Sequence, residues 1–222
     1  QPLRARLQDQ GIMADQMLKP YPGLACRHSR QVLTRFRSKP VVSAHNPPTP
    51  YKLLSLCAKW RVWSPLMPTL SALPAFTDNY IWCYTAAGGG SIVVDPGEAG
   101  PVLAAIRAGL HVQAVFITHH HADHCGGLRE LRRFTDAPVF GPADPRIAGI
   151  DRQVGHGDCI ELDGFDRFTV WQVPGHTGSH IVFFDSNVLF CGDTLFSLGC
   201  GRLFEGTPEQ MLASLDLLST LP

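Results

Sequence analysis

The feature that most constrains this chain is the run HHHADH at residues 119–124. It follows an apolar run at residues 112–117 and precedes a helix-like segment at residues 128–134, which predicts a position where a strand meets a helix. Imidazoles and a carboxylate this close together need a shared cation or many hydrogen-bond partners. An expression tag would lie at a terminus, whereas this run is internal. The run therefore predicts a metal site.

The spacing within the run indicates how the ligands are divided. His119 and His121 are two residues apart, so in an extended segment their side chains project to the same side and can bind one ion. Asp123 and His124 follow where the chain turns and can face a second ion. His120 points the other way, and we interpret it as structural or hydrogen-bonding rather than as a ligand. A nitrogen- and oxygen-rich set favours a catalytic site, because structural zinc sites more often use cysteine thiolates.

Charge divides the chain into two parts. Residues 1–66 hold eleven Lys and Arg against two acids, while residues 67–222 hold eight Lys and Arg against seventeen acids. This asymmetry predicts a basic Pro- and Arg-rich extension at residues 1–66 and a folded catalytic domain at residues 67–222. The extension is typical of a disordered arm, and we interpret it as non-native or upstream sequence before a start at Met67. The alternatives are an organellar leader, or an arm that attracts phosphate nonspecifically, which leaves nucleic acid as a weak hypothesis.

Short apolar runs separated by turn residues predict a protein of strands and helices. The first three strands form a meander, and later strands alternate with helices, which favours two sheets with helices outside. The predicted strands lie at residues 70–73, 80–85, 91–94, 112–117, around 139, 159–162, 168–173, 181–184 and 188–190. The predicted helices lie at residues 101–108, 128–134 and 208–218, with a single turn of helix at residues 144–148. Thr207 is the expected N-cap of the last helix. No apolar run approaches the roughly twenty residues that span a bilayer, so we expect no membrane partner.

Two further candidate ligands lie on loops at strand ends. His176 follows the strand predicted at residues 168–173, and Asp193 follows the strand predicted at residues 188–190. Alone, each is typical of a hydrogen-bonded loop residue. Beside the run at residues 119–124, both become candidate metal ligands.

In this order, the histidine run, Gly175-His176 and Gly192-Asp193 resemble the metallo-β-lactamase superfamily. The segments LPAFTDNYIW at residues 73–82 and GDTLFSLGCGRLFEGT at residues 192–207 resemble glyoxalase II, the hydroxyacylglutathione hydrolases. The resemblance covers residues 67–222.

This resemblance implies an α/β (α+β) protein with an αββα sandwich and two metal ions per subunit, usually zinc and sometimes iron or manganese. Family members continue past the position of Pro222 into a segment with a further histidine and then a helical region that helps bind glutathione, so we expect the sandwich to be incomplete at the C-terminus. Carried over by motif, His119, His121 and His176 hold the first ion, Asp123 and His124 hold the second, and Asp193 bridges them.

The implied activity is metal-dependent hydrolysis of S-(2-hydroxyacyl)glutathione thioesters, such as S-lactoylglutathione, to glutathione and a 2-hydroxy acid, in methylglyoxal detoxification. Metal-bound water can be hydroxide near neutral pH, and a thiolate whose parent pKa is about 8.5 leaves with little help. Asp123 and Asp193 are then the catalytic carboxylates. Arg202 and Phe204 lie where the family contacts the glutathione thioester, which is the expected small-molecule partner.

Two other interpretations stay open at this point. A single-iron persulfide dioxygenase of the same superfamily is the enzyme alternative, and a catalytically silent metal-binding fragment is the alternative from another class.

Cysteine usage indicates the compartment. Seven cysteines without regular spacing, an odd number, argue against a disulfide framework and favour a reducing environment. We therefore expect a cytoplasmic monomer, with an organelle as the alternative if the basic leader is genuine.

Overall fold

The computed structural model describes residues 68–221, and the basic extension predicted at residues 1–66 lies outside the described residues. Two β-sheets pack against each other, with helices on both outer faces. The strands are β1 (Thr69–Ala75), β2 (Asn79–Thr85), β3 (Gly90–Val94), β4 (His111–Phe116), β5 (Val139–Gly141), β6 (Arg152–Gln153), β7 (Cys159–Ile160), β8 (Phe168–Gln172), β9 (Ile181–Phe184) and β10 (Leu189–Phe190). The helices are α1 (Ala99–Arg107), α2 (Ala122–Cys125), α3 (Leu128–Leu131) and α4 (Pro208–Leu218), with one 3₁₀ turn at Gly192–Thr194.

The strand order confirms the predicted division into two sheets. The first sheet has six strands in the order β1-β2-β3-β4-β5-β6, and the second has four in the order β10-β9-β8-β7. Strands β1, β2 and β3 pair antiparallel, as the predicted meander requires. From β3 to β6 the pairing is parallel, with α1 connecting β3 to β4. Parallel neighbours have their carboxyl ends at one edge, which groups the loops that follow β3 and β4.

Side chains alternate between the two faces of each strand, and this alternation separates the core into layers. In β4, Val115 packs with helices α1 and α3 on one side, while Phe116 packs on the other side against the second sheet. The Phe116 ring stacks on Phe183 of β9 with ring centroids 4.3 Å apart, and it meets Phe168 of β8 edge-on at 5.2 Å. A third cluster joins the outer face of the second sheet to α4 through Leu218. The layers are therefore α, β, β and α, as the resemblance implied.

One predicted helix is wrong, and two other helices have different boundaries. Residues 144–148 form turns rather than helix, because the Asp144 carboxylate accepts a hydrogen bond from the backbone N–H of Arg146, two residues on, and so favours a turn. Helix α1 begins two residues earlier than predicted and includes Pro101 in its first turn, where a missing N–H costs nothing. Helix α3 ends at Leu131 rather than at residue 134.

None of the helices in the described part of the chain has the length and apolar character that crossing a bilayer requires.

The last helix has the N-cap that its sequence predicts. The Thr207 side chain accepts a hydrogen bond from the backbone N–H of Gln210 at 3.3 Å, and the Gln210 side chain accepts one from the backbone N–H of Thr207 at 2.9 Å. This reciprocal capping box satisfies two N–H groups that the helix cannot pair internally.

Replacing Thr207 by alanine is expected to lower the free energy of unfolding by about 1 kcal/mol, because the backbone N–H of Gln210 then loses its acceptor. Chemical denaturation followed by circular dichroism measures the change. Thr207→Ser is the matched control, since it keeps the hydroxyl. Its free energy of unfolding should stay within a few tenths of a kcal/mol of the wild-type value. An equal loss of unfolding free energy in both variants would contradict the capping role of Thr207.

Candidate metal centre

Four loops at strand ends supply the polar residues of the site. Beyond Phe116, where β4 ends, the chain forms neither helix nor strand through His121, which has an extended backbone and precedes α2. The loops after β3, β8 and β10 bring Asp95, His176 and Asp193. These loops belong to both sheets. The site therefore forms only when the sandwich is assembled, which explains why its members are far apart in sequence.

Three imidazoles form the first ligand group. The Nε2 atom of His119 lies 3.1 Å from Nδ1 of His121, and that Nδ1 lies 2.9 Å from Nε2 of His176. His119 is fully buried and His176 is buried. One ligand atom from each of the three lies within 4.8 Å of the others, so a single ion can contact all three.

The hydrogen bonds behind two of these rings fix which nitrogen faces the centre. The Nδ1 atom of His176 lies 2.7 Å from the backbone carbonyl oxygen of Arg202, which can only accept, so this nitrogen carries the hydrogen. The Thr118 hydroxyl donates to Asp95 at 2.7 Å, so toward Nδ1 of His119, at 3.0 Å, it acts as acceptor. In its neutral form, each ring therefore directs an unprotonated Nε2 at the centre. Converging lone pairs repel each other unless a cation lies between them, and this donor set fits a divalent metal ion.

A second group adjoins the first and shares a carboxylate with it. The Nε2 atom of His124 lies 3.2 Å from Oδ1 of Asp193 and 3.5 Å from Oδ2 of Asp123. The other oxygen of Asp193 lies 3.3 Å from Nε2 of His176, in the first group. Asp193 thus presents one oxygen to each group. The structure brings together all six side chains that the sequence predicted as ligands: His119, His121, Asp123, His124, His176 and Asp193.

Asp95 lies behind both groups, and the sequence analysis missed it. Its carboxylate accepts hydrogen bonds from the Thr118 backbone N–H at 2.8 Å and from the Thr118 hydroxyl, and one oxygen lies 3.0 Å from Nδ1 of His124. Asp95, His119 and His124 also form a group close enough to hold an ion. Because the Asp95 oxygens are already hydrogen-bonded, we interpret it as the residue that orients His124. Its position directly after β3, beside the strand that carries the histidines, was the available sequence signal.

His180 and Asn79 were also missed. His180 is fully buried, stacks on the His119 ring with centroids 4.7 Å apart, and accepts a hydrogen bond from the backbone N–H of Asp193 at 3.2 Å. Asn79, at the start of β2, donates to Oδ2 of Asp123 at 2.9 Å. Both residues hold a predicted ligand in place. Neither has a local sequence pattern that distinguishes it from an ordinary loop residue.

The two groups differ in their protonation. Burial lowers the pKa of His119 far below its usual range, with the neighbouring imidazoles adding to the effect, and burial also lowers the pKa of His121. Burial lowers the pKa of His180 to about 3. For His124, burial opposes the charged form, but hydrogen bonds to Asp193 and Asp95 outweigh it and raise its pKa to about 10. His119 and His121 are therefore neutral donors in the first group. The second group holds a proton on His124, and a bound metal ion would replace that proton.

The predicted substrate contacts border the first group. The Phe204 ring lies 5.1 Å from the ring of His121 and 5.4 Å from that of His176, between centroids, and 58% of Phe204 is exposed. The Arg202 guanidinium carbon lies 5.2 Å from the centroid of the Phe204 ring. Together Arg202 and Phe204 form an exposed wall beside the histidines. His120 points away from the centre, as predicted, toward Asp144 and Glu205.

Comparison with known proteins agrees with this geometry. Residues 77–222 match the family model of the metallo-beta-lactamase superfamily. The chain belongs to this superfamily. Its members bind divalent metal ions, which fits the histidine and aspartate groups of this metallo-β-lactamase domain.

The relatives of this metallo-β-lactamase domain include a hydroxyacylglutathione hydrolase of Xanthomonas euvesicatoria, 58% identical over 155 residues, an alignment that covers 69% of this chain and 60% of the relative. The chain spans about 60% of the length of the curated relatives it matches. Among solved structures, ETHE1 from Myxococcus xanthus superposes with a TM-score of 0.62 at 31% identity, covering 69% of this chain and 71% of that one. A di-iron-bound form of TTHA1623 superposes with a TM-score of 0.56 at 27% identity, covering 71% and 87%.

The stability of the metal-free domain is expected to fall as the pH rises above neutral. Folded His124 has a pKa of about 10 against an ordinary value of 6.5. A group with a raised folded pKa stabilises the fold fully below its unfolded pKa, and this contribution is lost as the pH rises through the folded pKa. Asp95→Asn removes one cause of the shift, and asparagine accommodates the positive φ of 51° at this position. The melting temperature of this variant should therefore fall less steeply.

Thermal unfolding of chelator-treated protein between pH 6.5 and 9 measures this difference, since above that range the buried thiols, whose ordinary pKa is 9.0, add a dependence of their own. Asp78→Asn is the matched control for the change of charge, because Asp78 is exposed and its carboxylate accepts a hydrogen bond from the adjacent Thr77 hydroxyl. If the melting temperatures of the wild type and of Asp95→Asn change in parallel with pH, Asp95 does not set the charge of His124.

Proposed function

We propose that this domain holds two divalent metal ions and that the protein hydrolyses S-(2-hydroxyacyl)glutathione thioesters, with S-lactoylglutathione as the representative substrate. The observation that carries the proposal is the position of Asp193, with one carboxylate oxygen toward each ligand group. Relatives named hydroxyacylglutathione hydrolase, at 58% and 54% identity, support the choice of substrate.

In this proposal His119, His121 and His176 hold the first ion, Asp123 and His124 hold the second, and Asp193 binds both. Imidazole and carboxylate donors suit zinc, iron and manganese, and we propose zinc with the other two as alternatives. The di-iron form of a structural relative at 27% identity supports a pair of ions rather than one. The carboxylate of Asp193, which lies between the two ligand groups, also supports two ions rather than one.

A metal pair of this kind supplies a nucleophile from water near neutral pH and polarises a carbonyl. The chain's own residues prepare the site for that chemistry. Asn79 holds the Asp123 carboxylate, whose side chain is 50% exposed, at the solvent-facing side of the second group, where it can orient water and accept its proton. His180 fixes the backbone of Asp193, and Asp95 fixes the ring of His124. Asp123 and Asp193 are thus the proposed catalytic carboxylates.

Thioester hydrolysis needs no protein nucleophile at this site. The departing thiolate has a parent pKa of about 8.5, so it leaves without a strong general acid, and attack on the carbonyl is the difficult step. The nearby thiols are poorly suited to attack it themselves. Burial raises the pKa of Cys125 to about 11, and burial also raises the pKa of Cys191. Both thiols are therefore protonated at neutral pH.

The exposed wall of Arg202 and Phe204 is the proposed contact for the glutathione part of the substrate. Glutathione carries two carboxylates, which suit a guanidinium, and the Phe204 ring offers an apolar face without a hydroxyl. Stacking against Phe204 keeps the Arg202 side chain at the edge of the site. The substrate thioester can then reach the histidine groups from the exposed side.

Replacing Asp193 by alanine is expected to lower bound metal and thiol release together, because both groups lose a shared oxygen. Thiol release from S-lactoylglutathione, read with a thiol-reactive dye, and metal content by elemental analysis measure the two effects. We expect a loss of rate of about a hundredfold or more. Asp136→Ala is the matched control, because Asp136 is an exposed carboxylate in the loop between α3 and β5. This variant should keep the wild-type metal content and rate of thiol release.

The same assay separates the alternatives. It should be run on this chain beside a version that carries the remaining length of its curated relatives, since the chain spans about 60% of them. Metal binding without thiol release in both versions would favour the silent fragment. One iron per chain together with oxygen consumption would favour the persulfide dioxygenase. Unchanged metal stoichiometry and rate in Asp193→Ala would overturn the shared-ligand assignment.

A further inference from the structure

A network of charged side chains lies behind the histidine run and has no part in the assignment above. It consists of Asp144, Arg146 and Glu205. Arg146 donates hydrogen bonds to Asp144 from Nε at 2.9 Å and from Nη2 at 2.7 Å, and it also donates to Glu205. The carboxylate of Asp144 is almost fully buried, with its side chain 2% exposed, whereas the Arg146 side chain is 49% exposed. A buried carboxylate is costly unless it is fully paired, so this arrangement needs an explanation.

The carboxylates of this network bind the loop that carries His176. The Ser179 hydroxyl donates to Asp144 at 2.5 Å, and the backbone N–H of Gly178 donates to Glu205 at 2.7 Å. Both donors lie between the predicted ligand His176 and the buried His180. Asp144 and Glu205 therefore hold the same short segment of chain from two sides.

The same carboxylates also enclose His120, which lies between the predicted ligands His119 and His121. Its Nδ1 is 3.6 Å from Asp144, and its Nε2 is 3.5 Å from Glu205. Nδ1 is buried and has no hydrogen-bond partner at closer range. The imidazole of His120 thus occupies a slot between two carboxylates that Arg146 holds together. The network connects the His120 segment to the 176–180 loop.

Glu205 adds a third segment to the network. It directly follows Phe204, whose backbone N–H donates to the carbonyl oxygen of His176 at 3.1 Å. The exposed wall of Arg202 and Phe204 is therefore tied to the same network. One guanidinium and two carboxylates thus hold three segments at a fixed spacing. These segments, around residues 120, 178 and 205, meet at the first ligand group.

We propose that Arg146, acting through Asp144 and Glu205, is a positioning residue that sets the spacing between the His119–His121 segment and the His176 loop. This inference rests on the proposed metal centre. His121 and His176 come from different segments, and their facing nitrogens are 2.9 Å apart. A shift of about 1 Å between the segments would stop three nitrogens from reaching one ion. The planar fork of arginine can hold two carboxylates at once, which a lysine ammonium does less well.

The charges of the network agree with this role. Hydrogen bonds from Arg146, together with one from the Gly178 backbone, hold the pKa of Glu205 at about 2. The Arg146 guanidinium also holds the pKa of Asp144 well below its usual range. Both carboxylates are therefore ionised at any pH at which the protein works, and the network keeps its shape across that range.

The test compares Arg146→Ala with Arg132→Ala in the full 222-residue chain. Arg132 is a matched control because it forms the same kind of contact, donating to Asp151 and to the carbonyl oxygen of Gly149, in the segment before β6. The readouts are the dissociation constant for Zn²⁺ by chelator competition, the absorption spectrum of the Co²⁺-loaded protein, and the melting temperature of the metal-free protein. None of these depends on thioester hydrolysis.

We expect Arg146→Ala to weaken Zn²⁺ binding by roughly ten- to a hundredfold and to change the Co²⁺ spectrum, as loss of an orienting residue around a metal site does. Arg146→Lys should fall between the alanine variant and the wild type. Arg132→Ala should keep the wild-type Zn²⁺ affinity and Co²⁺ spectrum, even if its melting temperature falls.

Two results would overturn the inference: wild-type Zn²⁺ affinity and Co²⁺ spectrum in Arg146→Ala, or equal losses of affinity in Arg146→Ala and Arg132→Ala, which would indicate a general effect on stability. Failure of the proposed function gives a different pattern. In that case the wild type binds metal but releases no thiol, while the two variants still differ in Zn²⁺ affinity as expected here.

Discussion

The arrangement on which the rest of this structure depends is the convergence of three imidazoles in a largely buried place. The facing nitrogens of His119 and His121 lie 3.1 Å apart, and those of His121 and His176 lie 2.9 Å apart. Burial lowers the pKa of His119 and His121, so these rings do not readily take up protons, and any unprotonated nitrogens that face each other repel. The fold holds this unfavourable arrangement because surrounding groups fix the rings. A cation then lowers the energy of an arrangement that already exists, which is the physical meaning of a preformed site.

The supporting groups explain why the sandwich is needed. Asp95 follows β3, Thr118 follows β4, and His180 precedes β9, so the groups that orient the ligands come from both sheets. The Asp95 carboxylate joins Thr118 to His124, and through Thr118 it also sets the hydrogen on His119. One buried carboxylate therefore orients a ring in each ligand group. The stacking of Phe116 on Phe183 holds the two sheets in contact and so maintains the geometry that these hydrogen bonds require.

Local sequence could predict the parts of this site that lie on one segment. The two-residue spacing of His119 and His121 predicts side chains on the same side, and the structure confirms that they face one point. His176 and Asp193 were candidates because they lie on loops at strand ends, and their assignment to particular ions came from motifs that resemble a known family, since no periodicity links them to the histidine run. Asp95, Asn79 and His180 were missed, since what distinguishes each is a hydrogen bond to a residue at least 13 positions away. The helix predicted at residues 144–148 was wrong because the Asp144 side chain pairs with the Arg146 backbone, which propensity does not anticipate.

The distribution of charge around the centre connects the proposed metal pair with the proposed kind of substrate. Three carboxylates, those of Asp95, Asp123 and Asp193, contact His124, and all lie on the side of the second ligand group. The two divalent ions proposed above would bring four positive charges against these three carboxylates, and the excess would favour a hydroxide nucleophile and the negative oxygen that develops during attack. The first ligand group contributes imidazoles rather than carboxylates, and burial lowers the pKa of two of them, His119 and His121. The exposed Arg202 lies beside that group and adds a further positive charge on the side where Phe204 offers an apolar face. An anionic, partly apolar substrate would therefore meet the Arg202 guanidinium beside an apolar ring, whereas the same guanidinium would repel a cationic substrate.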